Sequence, residues 1–201
     1  MIKQYWAEEA SGVSEVKGRL DTMEKKLDKI ALGGGCHWCT EAVFQSLKGV
    51  GKVEQGFVAS EGNNGSFSEA AVVYFDPKQI ALVALIEIHL HTHSSSSGHS
   101  MRSKYRSAVY AYSEKQAIEA ESTLAGLQLE FGGRLVTKVY PFKSFKPSEE
   151  QFKNYYFKNP KKPFCKSFIN PKLRLLLRKF SGNVALEKIG GLSAETIACG
   201  K

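Results

Sequence analysis

Long apolar runs are missing from this sequence of 201 residues. No segment has the length and apolar character of a membrane span, and residues 1–29, which are rich in Glu and Lys, contain no apolar signal core. Cysteine is also scarce. Two of the four cysteines are spaced Cys-x-x-Cys, which favours redox or metal chemistry over a secreted disulfide scaffold. We therefore predict a cytoplasmic protein.

Acidic residues are outnumbered by basic ones, and the formal net charge is +8. Much of the excess lies late in the chain, at Lys158, Lys161, Lys162, Lys166, Lys172, Arg174, Arg178 and Lys179. The sequence contains no nucleic-acid-binding motif, so we interpret this cluster as a solvated basic face and do not predict a nucleic-acid partner.

A glycine turn followed by cysteine is the most informative local pattern. Three glycines at 33–35 separate a strand candidate at 29–32 from Cys36. Apolar residues then recur at helical spacing, at Cys39, Val43, Leu47 and Val50. A cysteine at a helix N-terminus faces unpaired backbone N–H groups, which lower its pKa and favour the nucleophilic thiolate. Cys39 lies one turn further on the same face, where it can capture oxidised Cys36 as a disulfide.

Strand and helix patterns follow each other irregularly along the rest of the chain. Strands are predicted at residues 53–59, 69–75, 106–112 and 135–140. Helices are predicted at residues 78–90, at 113–129 with a capping-box pattern at Ser113, and at 171–180 with Asn170 as the N-cap. A second capping-box pattern, at Ser148, predicts one more helix around Tyr155. Because strict β–α alternation and sequence repeats are both missing, we predict an α+β fold, a two-layer sandwich of a mixed sheet and helices.

The chain is predicted to consist of an N-terminal extension (1–28), one main domain (29–180) and a flexible C-terminal tail (181–201). An apolar stripe in the extension is expected to pack against the domain; it consists of Val13, Val16, Leu20, Met23 and Leu27.

Three histidines alternate at the end of the predicted 78–90 helix: His89, His91 and His93. On an extended backbone this spacing could hold a metal ion, whereas on a helix it would not place the three rings on one face. We favour packing or surface histidines at a pocket rim and predict no metal.

The segment Gly-Cys-His-Trp-Cys-Thr-Glu-Ala-Val-Phe at 35–44 resembles the signature of the peptide methionine sulfoxide reductase A family. That signature usually reads Gly-Cys-Phe-Trp, with a Glu three residues after the Trp. Three further stretches match in order: a glutamate-bearing strand at 68–77, a Tyr-Arg-Ser-Ala strand at 104–110 and an aromatic segment ending in Asn-Pro at 152–160. Together they cover about residues 30–171.

The resemblance implies an enzyme that reduces methionine S-sulfoxide, free or peptide-bound, to methionine. Cys36 corresponds to the nucleophile, which becomes a sulfenic acid, and Glu69 corresponds to the general acid. Tyr105 corresponds to a pocket tyrosine that hydrogen-bonds the sulfoxide oxygen. Trp38 corresponds to the apolar wall that binds the substrate methyl group, and His37 replaces the usual Phe of that wall with a titratable ring.

The resemblance also implies a resolving thiol that forms a disulfide with Cys36. Cys39 is the first candidate because it is local, and Cys165 is the second because family members often carry resolving cysteines in the C-terminal segment. Cys199 could be a further relay. No cofactor is implied beyond an external thiol reductant such as thioredoxin, and the partners are oxidised proteins or peptides that carry methionine sulfoxide.

Two other interpretations compete with this one. A thioredoxin-like thiol-disulfide oxidoreductase would need only the Cys36-x-x-Cys39 pair, and would have no use for Glu69. A non-enzymatic zinc-binding module would combine the same cysteines with histidines from 89–99.

Overall fold

The structure, a computed structural model, describes residues 27–189. This part of the chain contains six strands: β1 (Asp28–Gly33), β2 (Val50–Ala59), β3 (Ser68–Phe75), β4 (Ala108–Ala111), β5 (Lys138–Pro141) and β6 (Ser144–Pro147). They form a single sheet in the order β5-β4-β1-β3-β2-β6. Neighbouring strands are antiparallel except β4 and β5, which are parallel, so the sheet is mixed.

The same residues contain five α-helices: α1 (His37–Gln45), α2 (Leu82–Thr92), α3 (Glu114–Leu127), α4 (Tyr155–Lys158) and α5 (Asn170–Lys179). A π-helical turn at Cys165–Ile169 leads directly into α5. Within the described residues, no helix combines the length and the apolar character that crossing a membrane requires. The predicted α+β class, with helices against a mixed sheet, is confirmed.

Strand alternation divides the side chains of the sheet between two faces. On β3, Val73 and Phe75 join the large core that also contains buried residues of α1, α2 and α5, whereas Val72 belongs to a smaller apolar cluster of its own. Glu69 has the same parity as Val73 and Phe75. Its carboxyl group therefore lies on the helix-covered face, where it is buried.

Several element boundaries differ from the predicted ones. Helix α2 begins at Leu82, four residues late, because Asp76 forms a turn in which its carboxylate accepts the backbone N–H of Lys78 (3.0 Å). Strand β6 was not predicted. It is a four-residue edge strand that pairs with β2 through Gly56 and its neighbours.

Two predicted helix starts are wrong. Among the described residues, the buried Ser148 Oγ finds no hydrogen-bond partner, and the chain forms only a 3₁₀ turn at Glu150–Phe152 before α4. Asn170, the predicted N-cap of the last helix, has helical backbone angles because the π-helical turn continues into α5 without a break.

The start of the predicted tail packs against the domain. Val184, Ala185 and Ile189 are buried, and Val184 forms a β-bridge with Leu47. The N-terminal apolar stripe up to Met23, and Cys199, lie outside the described residues.

Candidate active site

Cys36 is the N-cap residue of α1 and follows β1 after the glycine turn. Its carbonyl oxygen accepts the backbone N–H groups of Cys39 (3.0 Å) and Thr40 (3.2 Å), which closes the first helical turn. The predicted order of strand, glycine turn, cysteine and helix is confirmed. The thiol therefore lies at the end of the helix where backbone N–H groups are unpaired.

The glycine turn is enclosed by a histidine and held by an arginine. A Cβ atom added at Gly34 would lie 2.6 Å from Nε2 of His93, so a larger residue does not fit without movement. The Arg102 guanidinium donates to the carbonyl oxygens of Gly34 (3.2 Å) and Tyr105 (3.1 Å). These bonds connect the Cys36 turn to the loop that carries Tyr105.

Cys36 and Cys39 form an asymmetric thiol pair. The Cys39 thiol donates a hydrogen bond to the Cys36 sulfur, which is the largest cause that lowers the pKa of Cys36. Burial opposes this, and the backbone N–H groups of Trp38 and Cys39 reinforce it. The same hydrogen bond, together with burial, raises the pKa of Cys39. Of the two thiols, Cys36 is therefore the one that loses its proton more readily.

Cys165, the second resolving candidate, is completely buried at the start of the π-helical turn. Its thiol donates to the carbonyl oxygen of Asn159 (3.5 Å), and burial raises its pKa. Cys39 Sγ lies 4.0 Å from the carbonyl oxygen of Phe168 in the same turn. The three thiols at 36, 39 and 165 are free, and the turn that carries Cys165 packs directly against Cys39.

Glu69 lies next to the N-terminus of α1. Its Oε2 accepts the backbone N–H of His37 (3.2 Å) and is 3.5 Å from the His37 ring nitrogen Nδ1. Its Oε1 lies 3.7 Å from Nζ of Lys104, a solvent-exposed residue beside Tyr105. The structure thus places the predicted general acid within electrostatic reach of Cys36.

A cavity of about 270 Å³ opens beside Cys36. Its wall includes Gly35, His93, Met101, Tyr105 and Lys172 as well as the Cys36 thiol. A thiol, a phenol and an ammonium group therefore surround one space that could hold a small polar group with an apolar substituent. His37 and Trp38, the predicted substrate-binding residues, do not line this cavity.

Trp38 belongs to an aromatic cluster next to Cys36. Its indole stacks on Tyr155 with ring centroids 4.2 Å apart and planes 5° from parallel. Phe164 packs edge-on against the same indole at 5.5 Å. Lys162 lies over the outer face of the Tyr155 ring at 4.3 Å. An apolar wall with a cationic rim is the result.

Comparison with known proteins identifies the family. The sequence model of the family described as peptide methionine sulfoxide reductase matches residues 28–184. The chain belongs to this family. It is a peptide-methionine (S)-S-oxide reductase, as the resemblance implied.

Individual relatives agree with this assignment. The chain is 36% identical to the peptide methionine sulfoxide reductase MsrA of Trichodesmium erythraeum over 79% of its own length and 99% of that protein. It is 30% identical to MsrA of Sulfolobus acidocaldarius over 80% of its length and 99% of the relative. Among solved structures, reduced Mxr1 of Saccharomyces cerevisiae superposes with a TM-score of 0.63 at 25% identity, covering 70% of this chain and 90% of Mxr1.

The Glu of the signature, Glu41, has a role in this reductase that its sequence position did not predict. Its buried carboxylate accepts the backbone N–H groups of Asn154 (2.8 Å) and Tyr155 (3.2 Å). Asn154 adopts a left-handed conformation, φ 54°, that directs both N–H groups to the carboxylate. Glu41 therefore positions Tyr155 on Trp38.

The alternating histidines of the reductase are not gathered around a metal site. His89 and His93 stack at 4.1 Å in the interior, where burial lowers the pKa of His89 to about 4. His93 binds the His89 carbonyl oxygen through Nδ1 (2.6 Å) and Ser107 Oγ through Nε2 (2.8 Å). In the described residues, the one convergent group with metal-ligand geometry is Glu87, His91 and Glu130, and it contains neither Cys36 nor Cys39. The zinc-module interpretation therefore has no support in the geometry.

Proposed function

We propose that Cys36 is the nucleophile of sulfoxide reduction and that Glu69 and Tyr105 assist it. The observation that carries this proposal is the thiol pair at the α1 N-terminus, where Cys39 donates to the Cys36 sulfur beside the 270 Å³ cavity. Tyr105 lines the same cavity, so its hydroxyl can hydrogen-bond a sulfoxide oxygen placed there. Glu69 is buried, accepts the backbone N–H of His37 (3.2 Å) and lies within electrostatic reach of Cys36, so its carboxyl group is the acid nearest to the nucleophile in this proposal.

The proposed chemistry balances with these groups alone. The Cys36 thiolate bonds to the electrophilic sulfur of the sulfoxide, and the Glu69 carboxyl proton moves to the sulfoxide oxygen. Transfer of the hydroxyl to Cys36 releases methionine and leaves Cys36 as a sulfenic acid, oxidised by two electrons. Glu69 is left as a carboxylate, which takes a proton from solvent before the next cycle.

Cys39 is the proposed resolving thiol. The Cys39 thiol lies beside the Cys36 sulfur on the first turn of α1, so its attack on the sulfenic acid forms a Cys36–Cys39 disulfide and releases water. The raised pKa of Cys39 does not prevent this, because the hydrogen bond and the charge on Cys36 that raise it disappear when Cys36 becomes a sulfenic acid. Cys165, which belongs to the turn that packs against Cys39, is the proposed second step of a thiol relay.

A thioredoxin-type dithiol is the proposed reductant of the final disulfide. Its support is the likeness to a structure of S. cerevisiae Mxr1 in complex with Trx2, with a TM-score of 0.53 at 25% identity over 63% of this chain and 84% of Mxr1. Oxidised proteins or peptides that carry methionine S-sulfoxide are the proposed substrates. The free thiols and the thioredoxin-type recycling fit a reducing compartment such as the cytoplasm.

The test is a turnover experiment without reductant. The protein is incubated with a peptide that contains methionine sulfoxide, and product and free thiols are counted by mass spectrometry for wild type, Cys36→Ser, Cys39→Ser and Cys165→Ser. We expect wild type to form product with loss of thiols, Cys36→Ser to form none, and Cys39→Ser to accumulate the sulfenic acid. A disulfide that forms normally in Cys39→Ser but not in Cys165→Ser would transfer the resolving role to Cys165.

Glu69→Gln separates this mechanism from a simple thiol-disulfide oxidoreductase. The proposed acid step predicts that this variant loses sulfoxide reduction while its Cys36 thiol still reacts with small disulfides. Sulfoxide reduction at the wild-type rate by Glu69→Gln would contradict the role given to Glu69.

A further inference from the structure

A lysine side chain is held in the wall of the Cys36 cavity. Lys172, the third residue of α5, lines this cavity together with Cys36 and Tyr105. Its ammonium group donates to the carbonyl oxygen of Thr92, the last residue of α2. Carbonyl groups at a helix C-terminus lack intrahelical partners and carry a partial negative charge, so they favour a cation. His93, which follows Thr92, is part of the cavity wall, so this bond holds the ammonium group beside the cavity.

The charge of Lys172 has no counter-ion in the described part of the chain. No carboxylate there forms an ion pair with it, and the neutral Thr92 carbonyl oxygen uses only one of its three N–H groups. The Glu69 carboxyl group lies 3.7 Å from Lys104 instead. Lys172 is also partly buried, so its charge is screened less than that of an exposed lysine. Such an ammonium group attracts an anionic group to the cavity.

The charge of Lys172 also acts on the cavity wall itself. Burial is the largest cause that holds the pKa of His93 well below its usual range, His89 is the second, and Lys172 lowers it further. The His93 ring is therefore neutral near pH 7. Of these two neighbours in the cavity wall, Lys172 is the one that carries a positive charge.

The position of Cys36 determines which part of a substrate meets this charge, because the sulfoxide sulfur must reach the thiol. A cavity of about 270 Å³ is small for a ligand pocket and has room for a single side chain. The residues on either side of the methionine sulfoxide then lie at its opening, since neighbouring Cα atoms are about 3.8 Å apart. A carboxylate there would form a charge-assisted hydrogen bond with the ammonium group. It can belong to a neighbouring Asp or Glu, or it can be the terminal carboxylate of the sulfoxide residue.

We propose that Lys172 is a specificity-determining residue that binds a substrate carboxylate next to the methionine sulfoxide, so that the reductase prefers sulfoxides with such a neighbour. The inference rests on the proposed function, which places the sulfoxide in the Cys36 cavity. It distinguishes Lys172 from the other lysines of the basic cluster, such as Lys166, which is exposed and does not line the cavity.

Matched peptides and matched variants test the proposal. Three peptides differ only in the two residues that flank the methionine sulfoxide, which are Asp, Asn or Lys. Two more end in methionine sulfoxide after an Asn, one as the free acid and one as the amide. The assay is the second-order rate constant of single-turnover reduction, with enzyme in excess and no reductant, for wild type, Lys172→Met, Lys172→Arg and Lys166→Met. Ratios between peptides do not depend on the amount of active protein, so a less stable variant still gives a valid result.

We expect wild type to reduce the Asp peptide about fivefold faster than the Asn peptide, as one charge-assisted hydrogen bond at a partly exposed site implies. The Lys peptide should react more slowly than the Asn peptide. Lys172→Met should reduce all three at similar rates, whereas Lys172→Arg and Lys166→Met should keep the wild-type order. A free acid that reacts faster than its amide in wild type, but not in Lys172→Met, would show that the terminal carboxylate binds as well; equal rates for the two would assign the preference to acidic side chains.

Two results would overturn the proposal. In the first, wild type reduces the Asp and Asn peptides at equal rates, and the acid and the amide likewise. In the second, the preference for Asp survives in Lys172→Met, which would attribute it to the basic cluster as a whole. Cys36→Ser, assayed in parallel, tests the proposed function itself. Product from that variant would remove the nucleophile on which the inference rests, whereas its inactivity beside a wild type that ignores flanking charge would refute the role of Lys172 alone.

Discussion

Removing the Glu41 carboxylate should loosen the aromatic cluster around Trp38 and lower the stability of the reductase. In the folded protein this group accepts two backbone N–H groups, at 2.8 Å from Asn154 and 3.2 Å from Tyr155. Glu41→Ala leaves both donors without their acceptor in a buried site. The left-handed conformation of Asn154 also loses the interaction that compensates for it.

The expected size of the effect follows from these two bonds. A buried N–H that loses a charged acceptor costs about 1.5–3 kcal/mol, and relief of the buried carboxylate returns part of this, so we expect a net loss of about 3 kcal/mol. For a domain of this size the midpoint of thermal unfolding should fall by about 6–12 °C. If the Trp38–Tyr155 stack opens, KM for a peptide sulfoxide should rise up to about tenfold, the equivalent of one aromatic pair.

Thermal unfolding and steady-state kinetics with a peptide substrate measure the two effects. Glu150→Ala is the matched control, because Glu150 lies shortly before Asn154 in the chain but is exposed, in a surface pair with Lys153 that contributes little. Glu41→Gln keeps one acceptor oxygen and should lie between Glu41→Ala and wild type. If Glu41→Ala unfolds at the wild-type temperature with an unchanged KM, the carboxylate does not keep Tyr155 stacked on Trp38.

Three further predictions concern Cys39, Gly34 and the pH dependence that Glu41 gives to stability. Cys39→Ala should slow iodoacetamide alkylation of Cys36 near pH 7 by about fivefold to tenfold, since the hydrogen bond that lowers the Cys36 pKa is lost, whereas Cys39→Ser keeps a donor and should react nearly as wild type. Gly34→Ala should cost about 2 kcal/mol in urea unfolding through its clash with His93, and less when combined with His93→Ala. Because burial raises the pKa of Glu41, the folded state keeps a proton that the unfolded chain releases, so stability should fall as the pH rises from about 4.5, and this slope should be absent in Glu41→Gln.

The local order around Cys36 was predictable because it depends on neighbours in sequence. A short apolar strand, three glycines and a helical repeat each have their own signal, and β1 and α1 follow them within a few residues. The Ser113 capping box is a second example: its hydroxyl accepts the N–H of Gln116 (3.2 Å), as the pattern predicted.

The failures arise where distant contacts determine the backbone. The Ser148 pattern is as good a capping box as that of Ser113, but Glu41, more than a hundred residues away in sequence, binds the N–H groups of Asn154 and Tyr155 and bends the chain there. Strand β6 has only four residues and ends in Pro147, so its pairing with β2 is visible only when the sheet is assembled. No local pattern contains this information.

Glu69 shows how much of the site could be predicted from the sequence. Strand parity places Glu69 on the face of Val73 and Phe75, so burial of its carboxyl group follows from the pattern of β3 alone. A buried carboxyl group requires donors, but the sequence does not indicate which residues supply them. The structure shows that His37, because it stands directly after the N-cap cysteine, supplies one donor from its backbone N–H (3.2 Å), whereas its ring nitrogen Nδ1 is bonded to the carbonyl oxygen of Gly56 (3.2 Å). The Phe that usually occupies this position has the same backbone N–H, so this hydrogen bond to Glu69 depends on the turn after Cys36 and not on the side chain at position 37.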